Sequence, residues 1–370
     1  MKKRFLIVGD FLAGSGLTGV IFNIFPKILN TNIWDVTVIG YGKENNKIID
    51  KQIQKLGWKL IRTPLVTKDP IRHWKFWKKY FKKNNFDYIY FNYSAAWNFL
   101  PVKYAKKYTH AHIAVHSHNT YYGHKFNNRV LMTLLNVLNN YGKRQMLLNS
   151  DIRFATSKEA AVWMFGTDNG VNISQNGIDL EKYKFDANAR KQIRDKYHIL
   201  PKDRLYGFVG VLQPRKNPLF VVKLFYKLYK ENNNSKLVMI GAGELKDDIC
   251  DEIKRLKLEK NIILIDFCKD VNKWYSAMDM LFFPSLYEGL PLVLVEAQAS
   301  GLKILTSFNI PEVVIATPNI YKMKTYDLKD WIFKSEELFS EKMNRTMDFK
   351  ELNDFSCEHQ AKKIKNVLFE

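Results

Sequence analysis

The stretch MLFFPSLYEGLPLVLVEAQASG, Met280 to Gly301, decides the fold. Its first four residues are large and apolar and Pro284 closes them off, which reads as a short buried strand. Tyr287-Glu288-Gly289 forms the turn at the strand's end. Pro291 suits the first turn of a helix, where its missing N–H costs nothing, and Leu292 to Ala299 continue that helix. A buried strand running straight into a helix is the unit of a parallel α/β sheet, and the free amides of the helix N-terminus make a phosphate site without a metal. Two carboxylates bracket the apolar run. Glu288 precedes the helix and Glu296 lies one to two turns along it, so both can face a cleft and accept hydrogen bonds from vicinal hydroxyls, in which sugars are rich. The plain alternative is that one glutamate caps the helix and the other is solvated.

Outward from this unit the same rhythm recurs. RFLIVGD, DVTVIG, DYIYFN, HIAVHSH and IRFATS form one series of strand-like runs, and LYGFVG, KLVMIG, NIILIDF, MLFFPS and KILTS a second, with helix-length segments between them. The polar segment NGIDLEKYKFDANARKQIRDKYHILPKDR separates the two series. A chain of 370 residues with 46% hydrophobic content can build two cores. The expected architecture is α/β, with two Rossmann-like doubly wound domains over residues 1–180 and 181–349, facing across a cleft with ligands at strand C-terminal ends. Residues 350–370 are expected to form a final helix packing back toward the first domain.

Three cysteines stand far apart without metal or disulfide spacing. The basic and apolar start MKKRFLIVGD is interrupted by Asp10 and reads as a first strand rather than a signal peptide. No apolar run reaches the roughly 18 residues of a membrane span. The formal net charge of +21 implies anionic partners, among which composition does not choose. In RHWKFWKKYFKK, Arg72 to Lys83, helical spacing gathers Trp74, Phe76, Trp77, Tyr80 and Phe81 on one arc and the basic residues, Lys75, Lys78 and Lys79 among them, on the other. That pattern predicts an interfacial helix on an anionic membrane, with Trp74, Trp77 and Phe81 as its apolar contacts. The competing assignment makes the aromatic face core.

Further motifs accompany the opening one: VHSHNT, ATSKEAAVWMFG, QNGIDLEKY, VGVLQPRKNP, IGAGEL and AMDMLFFPS. QPRKNP sets Arg215 and Lys216 just after a strand, where cations can neutralise a departing diphosphate. His110, His112, His116 and His118 share one parity, but no carboxylate or thiol stands near to complete a metal site, so none is expected. His112 and His116 read as packing residues. LAGSGLTG supplies flexible backbone at Gly14 and Gly16.

Together these pieces resemble the retaining GT-B glycosyltransferases of family 4, the group 1 transferases, whose mark is two glutamates separated by seven residues. The likeness is closest to the branch that builds capsular and exopolysaccharides. It implies that Glu288 contacts the donor sugar, Glu296 holds the nucleotide ribose, and backbone amides at Gly289, Leu290 and Leu292 approach the diphosphate. It likewise implies that Lys216 binds that diphosphate with Arg215 beside it and that His118 contacts the sugar near the reacting carbon; Gly210 and Gly241 are expected to shape the nucleotide pocket, and Gly14 and Gly16, whose loop departs from the Gly-Gly-x-Glu of relatives, to border the acceptor or the diphosphate. The pattern departs from the family at Val211, where an Arg is usual, and at Asp266, where Gly is common. The D-x-D arrangement that holds a metal in other transferases does not occur in the sequence.

The resemblance implies a metal-independent transferase without cofactor that takes a nucleotide sugar, UDP-linked by preference, and extends a lipid-linked diphosphate saccharide. It would work in the cytoplasm as a peripheral protein on the inner face of the cell membrane, without nucleic acid as partner. A nucleotide-sugar 2-epimerase of related fold and a non-enzymatic binder of anionic polymers are the alternatives. The second leaves the glutamate pair unexplained.

Overall fold

The computed structural model describes residues 2–12, 15–42, 47–120, 122, 129–341 and 345–370. They form two compact units, Met1–Gly177 with Cys357–Glu370, and Ile178–Ser356.

In the first unit seven strands, β1 (Lys3–Val8), β2 (Trp34–Tyr41), β3 (Lys59–Thr63), β4 (Tyr88–Tyr93), β5 (His112–Ser117), β6 (Ile152–Ala155) and β7 (Asn172–Ile173), pair in parallel in the order β3-β2-β1-β4-β5-β6-β7. The helices between them are α1 (Gly16–Ile28), α2 (Lys47–Lys55), α3 (Pro70–Lys83), α4 (Leu100–Tyr108), α5 (Arg129–Asn149) and α6 (Lys158–Phe165). The second unit has six strands, β8 (Arg204–Val209), β9 (Ser235–Ile240), β10 (Ile262–Ile265), β11 (Met280–Phe283), β12 (Lys303–Ser307) and β13 (Ile320–Met323), parallel in the order β10-β9-β8-β11-β12-β13. Its helices are α7 (Leu180–Tyr183), α8 (Ala187–Lys196), α9 (Pro218–Glu231), α10 (Lys246–Arg255), α11 (Val271–Ala277), α12 (Leu292–Ala299) and α13 (Leu328–Ser340), and α14 (Cys357–Phe369) closes the chain.

Both sheets carry helices and apolar cores on their two faces, which is why their strands read as unbroken apolar runs rather than as alternations. The strand order of each reverses once, between β1 and β4 and between β8 and β11. At such a switch point the loops leaving two neighbouring strands diverge to opposite faces and open a crevice beyond the strand ends.

The unit boundaries differ by a few residues from those expected. Ile178 N–H donates to Phe355 O at 2.8 Å, and Leu352 and Phe355 sit in the second unit's core on a 3-10 turn over Phe349–Phe355. Residues 350–356 therefore belong to the second unit rather than to a terminal helix. Helix α14 lies against the first unit, where Ala361, Ile364 and Leu368 are core and the Phe369 ring stacks on Trp34 at 5.1 Å.

The interfacial assignment of α3 is corrected. Trp77 and Phe81 are fully buried in the core beneath β4 and β5, and Trp74 is only partly exposed. A polar chain fixes this face: Pro64 O accepts from His73 Nδ1 at 2.7 Å, leaving Nε2 to accept from Trp77 Nε1–H at 3.1 Å. Sequence periodicity locates an apolar face but not what covers it, and here the sheet covers it. Lys75, Lys78 and Lys79 are exposed on the other side. Trp77→Ala should lower stability by about 3–5 kcal/mol in equilibrium urea unfolding, whereas Lys78→Ala should change it by no more than about 0.5 kcal/mol.

Candidate functional site

The switch point of the second sheet is where the sequence-predicted residues gather. The loop leaving β8 forms a short 3-10 turn, Pro214–Lys216, ended by Asn217 in the left-handed conformation. The loop leaving β11 carries Ser285 to Pro291 into α12. The two loops are joined by Leu286 N–H to Arg215 O at 2.8 Å and by Arg215 Nη1 to Tyr287 O at 3.1 Å. Between them the Glu288 carboxylate sits 2.7 Å from Arg215 Nη1 and 2.6 Å from Lys216 Nζ, its side chain only 7% exposed. The ammonium of Lys216 also lies 4.7 Å from the centre of the Phe283 ring. Burial lowers the Lys216 pKa and Glu288 opposes that shift.

Two cations against one anion leave this cluster with a surplus positive charge at a largely buried position, which an added anion would complement. Beside it, the amides of Gly289 and Leu290 donate to no group among the described residues, and Leu292 is the first helical residue, without an intrahelical acceptor. A Cβ at Gly289 would meet nothing within 4 Å, so no neighbour in the protein demands glycine there. Pro291 occupies the N-cap of α12 rather than its first turn, and Leu290 and Leu292 pack partly into the core.

Glu296 is held differently. Tyr275 O–H on α11 donates to its Oε2 at 2.8 Å, and Tyr183 on α7 also hydrogen-bonds it. Burial raises the Glu296 pKa while the two tyrosine hydroxyls pull it back. Tyr183 closes the QNGIDLEKY motif, but neither it nor Tyr275 was singled out, since each comes from a separate helix at no fixed spacing from Glu296.

Gly210 ends β8, and Gly241 and Gly243 follow β9. A Cβ on Gly241 would lie 1.9 Å from Gly210 O, and one on Gly243 2.3 Å from Leu212 O. These glycines let the β9 loop pack onto the β8 loop, where Leu212 N–H donates to Ala242 O at 3.0 Å. They position the backbone leading to Arg215. Val211, where the family pattern has Arg, is 51% exposed, and Asp266 pairs with Lys246 at 2.5 Å.

In the first unit, strand C-terminal ends assemble a second polar group. His118 follows β5, and its Nε2 lies 3.0 Å from Asn92 Oδ1. Asn92 Nδ2 donates to Val8 O at 3.1 Å, which fixes Oδ1 as the acceptor and puts the His118 proton on Nε2. The His116 ring lies 4.0 Å away, with Nδ1 2.9 Å from Tyr90 O–H. Burial lowers the His118 pKa to about 4 and that of His116 well below its usual value. Both rings are neutral at physiological pH, whereas His110 and His112 are exposed. Asp10 accepts from Ser15 Oγ at 2.5 Å and Thr18 Oγ1 at 2.7 Å, tying the glycine loop to the start of α1. Gly16 opens that helix and is exposed, while Gly14 lies outside the described residues. Asp10, Asn92, Tyr93, Ser94 and Trp97 are among the residues lining a cavity of about 220 Å³. Asn92, within β4, was not singled out in the sequence, and Asp10 only as the break in the apolar start.

Residues 189–353 match the family model described as "Glycosyl transferases group 1". The chain is 32% identical over 205 residues to a putative glycosyltransferase, EpsF, of Bacillus subtilis, a match covering 54% of this chain and 52% of that protein. It is 33% identical over 142 residues to an Escherichia coli UDP-Gal:alpha-D-GlcNAc-diphosphoundecaprenol alpha-1,3-galactosyltransferase, covering 37% of this chain and 36% of that protein. The matched segments thus span about half or less of these curated relatives. Among solved structures, Anabaena HepE in complex with UDP and glucose aligns over 99% of both chains with a TM-score of 0.77 at 13% identity. A glycosyltransferase of Rickettsia africae aligns over 100% of this chain and 99% of its own with a TM-score of 0.76 at 18% identity. The fold is GT-B.

The neutral histidines make stability depend on pH. With a folded pKa of about 4 against the ordinary value of 6.5, His118 takes up its proton in the unfolded chain first. Its contribution is intact above the unfolded value and is lost as pH falls from 6.5 toward 4, on the order of 3 kcal/mol. His118→Asn should therefore reduce the loss of urea stability across that interval relative to the unaltered chain, and leave the pH dependence above it unchanged.

Proposed function

We propose that this chain, whose residues 189–353 match the group 1 glycosyl transferase model, is a glycosyltransferase of that family and moves a sugar from a nucleotide sugar, UDP-linked by preference, onto a lipid-linked saccharide in capsular or exopolysaccharide synthesis. The carrying observation is the Glu288 carboxylate held between Arg215 and Lys216 beside unused amides. A nucleotide diphosphate carries the charge that the surplus cation lacks, and the amides of Gly289, Leu290 and Leu292 supply fixed dipoles for its oxygens. The E. coli and Campylobacter jejuni relatives are named for diphosphoundecaprenol-linked acceptors, which supports the lipid carrier, and an anionic membrane surface is the partner this reading adds. Among the described residues no helix is long and apolar enough to cross a membrane.

The reading assigns each group a task. As the bond from the sugar C1 to the β-phosphate oxygen breaks, charge grows on the leaving diphosphate, and Lys216 and Arg215 neutralise it. Arg215 thereby takes up part of the role that Arg has at the Val211 position in relatives. The protein's own cations make the transfer independent of a metal. Glu288, released from part of its ion pairing, turns its oxygens to the sugar hydroxyls. Glu296, steadied by Tyr275 and Tyr183, accepts from the ribose hydroxyls. The acceptor oxygen forms the new bond to C1 on the face the diphosphate leaves, with retention, and its proton passes to a phosphate oxygen. Neutral His118 offers an uncharged hydrogen bond to the donor sugar.

A panel of nucleotide sugars tested for slow hydrolysis, with UDP binding measured in parallel, tests this. Lys216→Ala should lower kcat/KM by about 10²–10³-fold and weaken UDP. Glu288→Ala should abolish turnover yet leave UDP binding at least as tight, because the local charge rises by one. Glu296→Ala should weaken the nucleotide and turnover together. Turnover unchanged in both glutamate variants would overturn the assignment.

A further inference from the structure

In the first unit a whole stripe of exposed apolar side chains lies on α5, whereas α3 exposes Ile71 alone among its large apolar residues. Val130, Leu134, Val137, Tyr141 and Leu148 are 80%, 56%, 61%, 51% and 62% exposed, and Leu138 is 38% exposed. Steps of three, four and seven residues put them on one stripe of a 3.6-residue helix. The opposite side is firmly seated. Asn139 Oδ1 accepts from the amides of Ala96 at 2.8 Å and Trp97 at 3.1 Å, and Met146 is fully buried. A Cβ on Gly142 would lie 2.1 Å from Ala96 O, so the helix approaches that loop as closely as glycine permits. The stripe is therefore held outward by built contacts and cannot roll into the core. Nothing in folding rewards five large apolar side chains left in water.

The neighbouring helices define what covers the stripe. Helices α3, α4 and α5 lie side by side on one face of the sheet. Next to the stripe, α4 exposes Lys103, Lys106 and Lys107, and α3 exposes Lys75, Lys78, Lys79, Lys82 and Lys83. Of these, only Lys106 has a carboxylate partner, Asp151, among the described residues. An apolar stripe flanked by a broad unneutralised basic band repels a second copy of a chain with net charge +21, but complements a surface that is apolar inside and anionic at its border.

We propose that α5 is the membrane-docking element of this protein, inserting Val130, Leu134, Val137 and Tyr141 into the headgroup boundary of an anionic bilayer while the α3 and α4 lysines bind the headgroups. This deepens the membrane partner named above and does not depend on the sugar-transfer chemistry.

The test is cosedimentation of the full chain with vesicles of phosphatidylcholine alone and of phosphatidylcholine with phosphatidylglycerol. Val130→Ser/Leu134→Ser/Val137→Ser should lower the partition coefficient onto anionic vesicles by about tenfold or more, with unchanged thermal unfolding and unchanged nucleotide-sugar hydrolysis. Val137→Glu should do the same through one site. Lys103→Gln/Lys107→Gln should weaken binding at low salt and have less effect at high salt. Equal partitioning of the triple variant and the unaltered chain overturns the proposal, as does failure of the unaltered chain to bind anionic vesicles. Loss of a dimer in the triple variant by sedimentation velocity, with lipid binding unchanged, also overturns it in favour of a second copy. Absent hydrolysis with every nucleotide sugar would instead contradict the transferase reading and leave the vesicle result standing.

Discussion

A carboxylate pinned between two cations organises the second unit's ligand-facing edge. Glu288 sits on the loop after β11, Arg215 and Lys216 on the loop after β8, and these strands are neighbours only because the sheet order reverses there. Taking three charges largely out of water is costly, and removing the carboxylate would leave two cations uncompensated. The arrangement persists because the loops are fixed from beneath: Gly241 and Gly243 admit the β9 loop against the β8 loop, and a backbone hydrogen bond ties residue 286 to residue 215. The site is thus electrostatically incomplete while its geometry is already set, as suits a surface that must stabilise charge appearing only during a reaction.

The two glutamates, similar in sequence, end in different environments. Glu288 faces cations, whereas Glu296 faces two tyrosine hydroxyls and is biased by burial toward its neutral form. One is suited to exchanging partners as a charged ligand arrives, the other to holding neutral hydroxyls. The first unit uses still another chemistry, with His118 and His116 kept neutral by burial and His118 oriented by Asn92.

What the sequence disclosed follows from the range of the interactions concerned. Strand runs such as LYGFVG and MLFFPS, and the turn into α12, are set by local propensity and burial on both faces, so ten of the strands and the loop cations could be read directly, whereas the short edge strands β3, β7 and β13 were missed. The glutamate spacing was legible for the same reason, because both residues sit on one strand-turn-helix unit. Tyr275 and Tyr183 were not, since their meeting with Glu296 depends on how α7 and α11 pack. Helix α3 exposes the limit of periodicity: Trp77 and Phe81 make the apolar arc that the sequence indicates, but the sheet rather than a membrane takes it. Helix α5 is the converse, with apolar residues so numerous in RVLMTLLNVL that only burial separates its seated side from its exposed one.

The central claim is that the cations paired with Glu288 and the free amides beside them receive a nucleotide diphosphate. A crystal structure of the chain with UDP tests it most directly. The account predicts the β-phosphate within hydrogen-bond reach of Lys216 Nζ and the amides of Gly289 and Leu290, with the ribose hydroxyls on Glu296. UDP bound away from these groups, with the Glu288 ion pairs undisturbed, would contradict it.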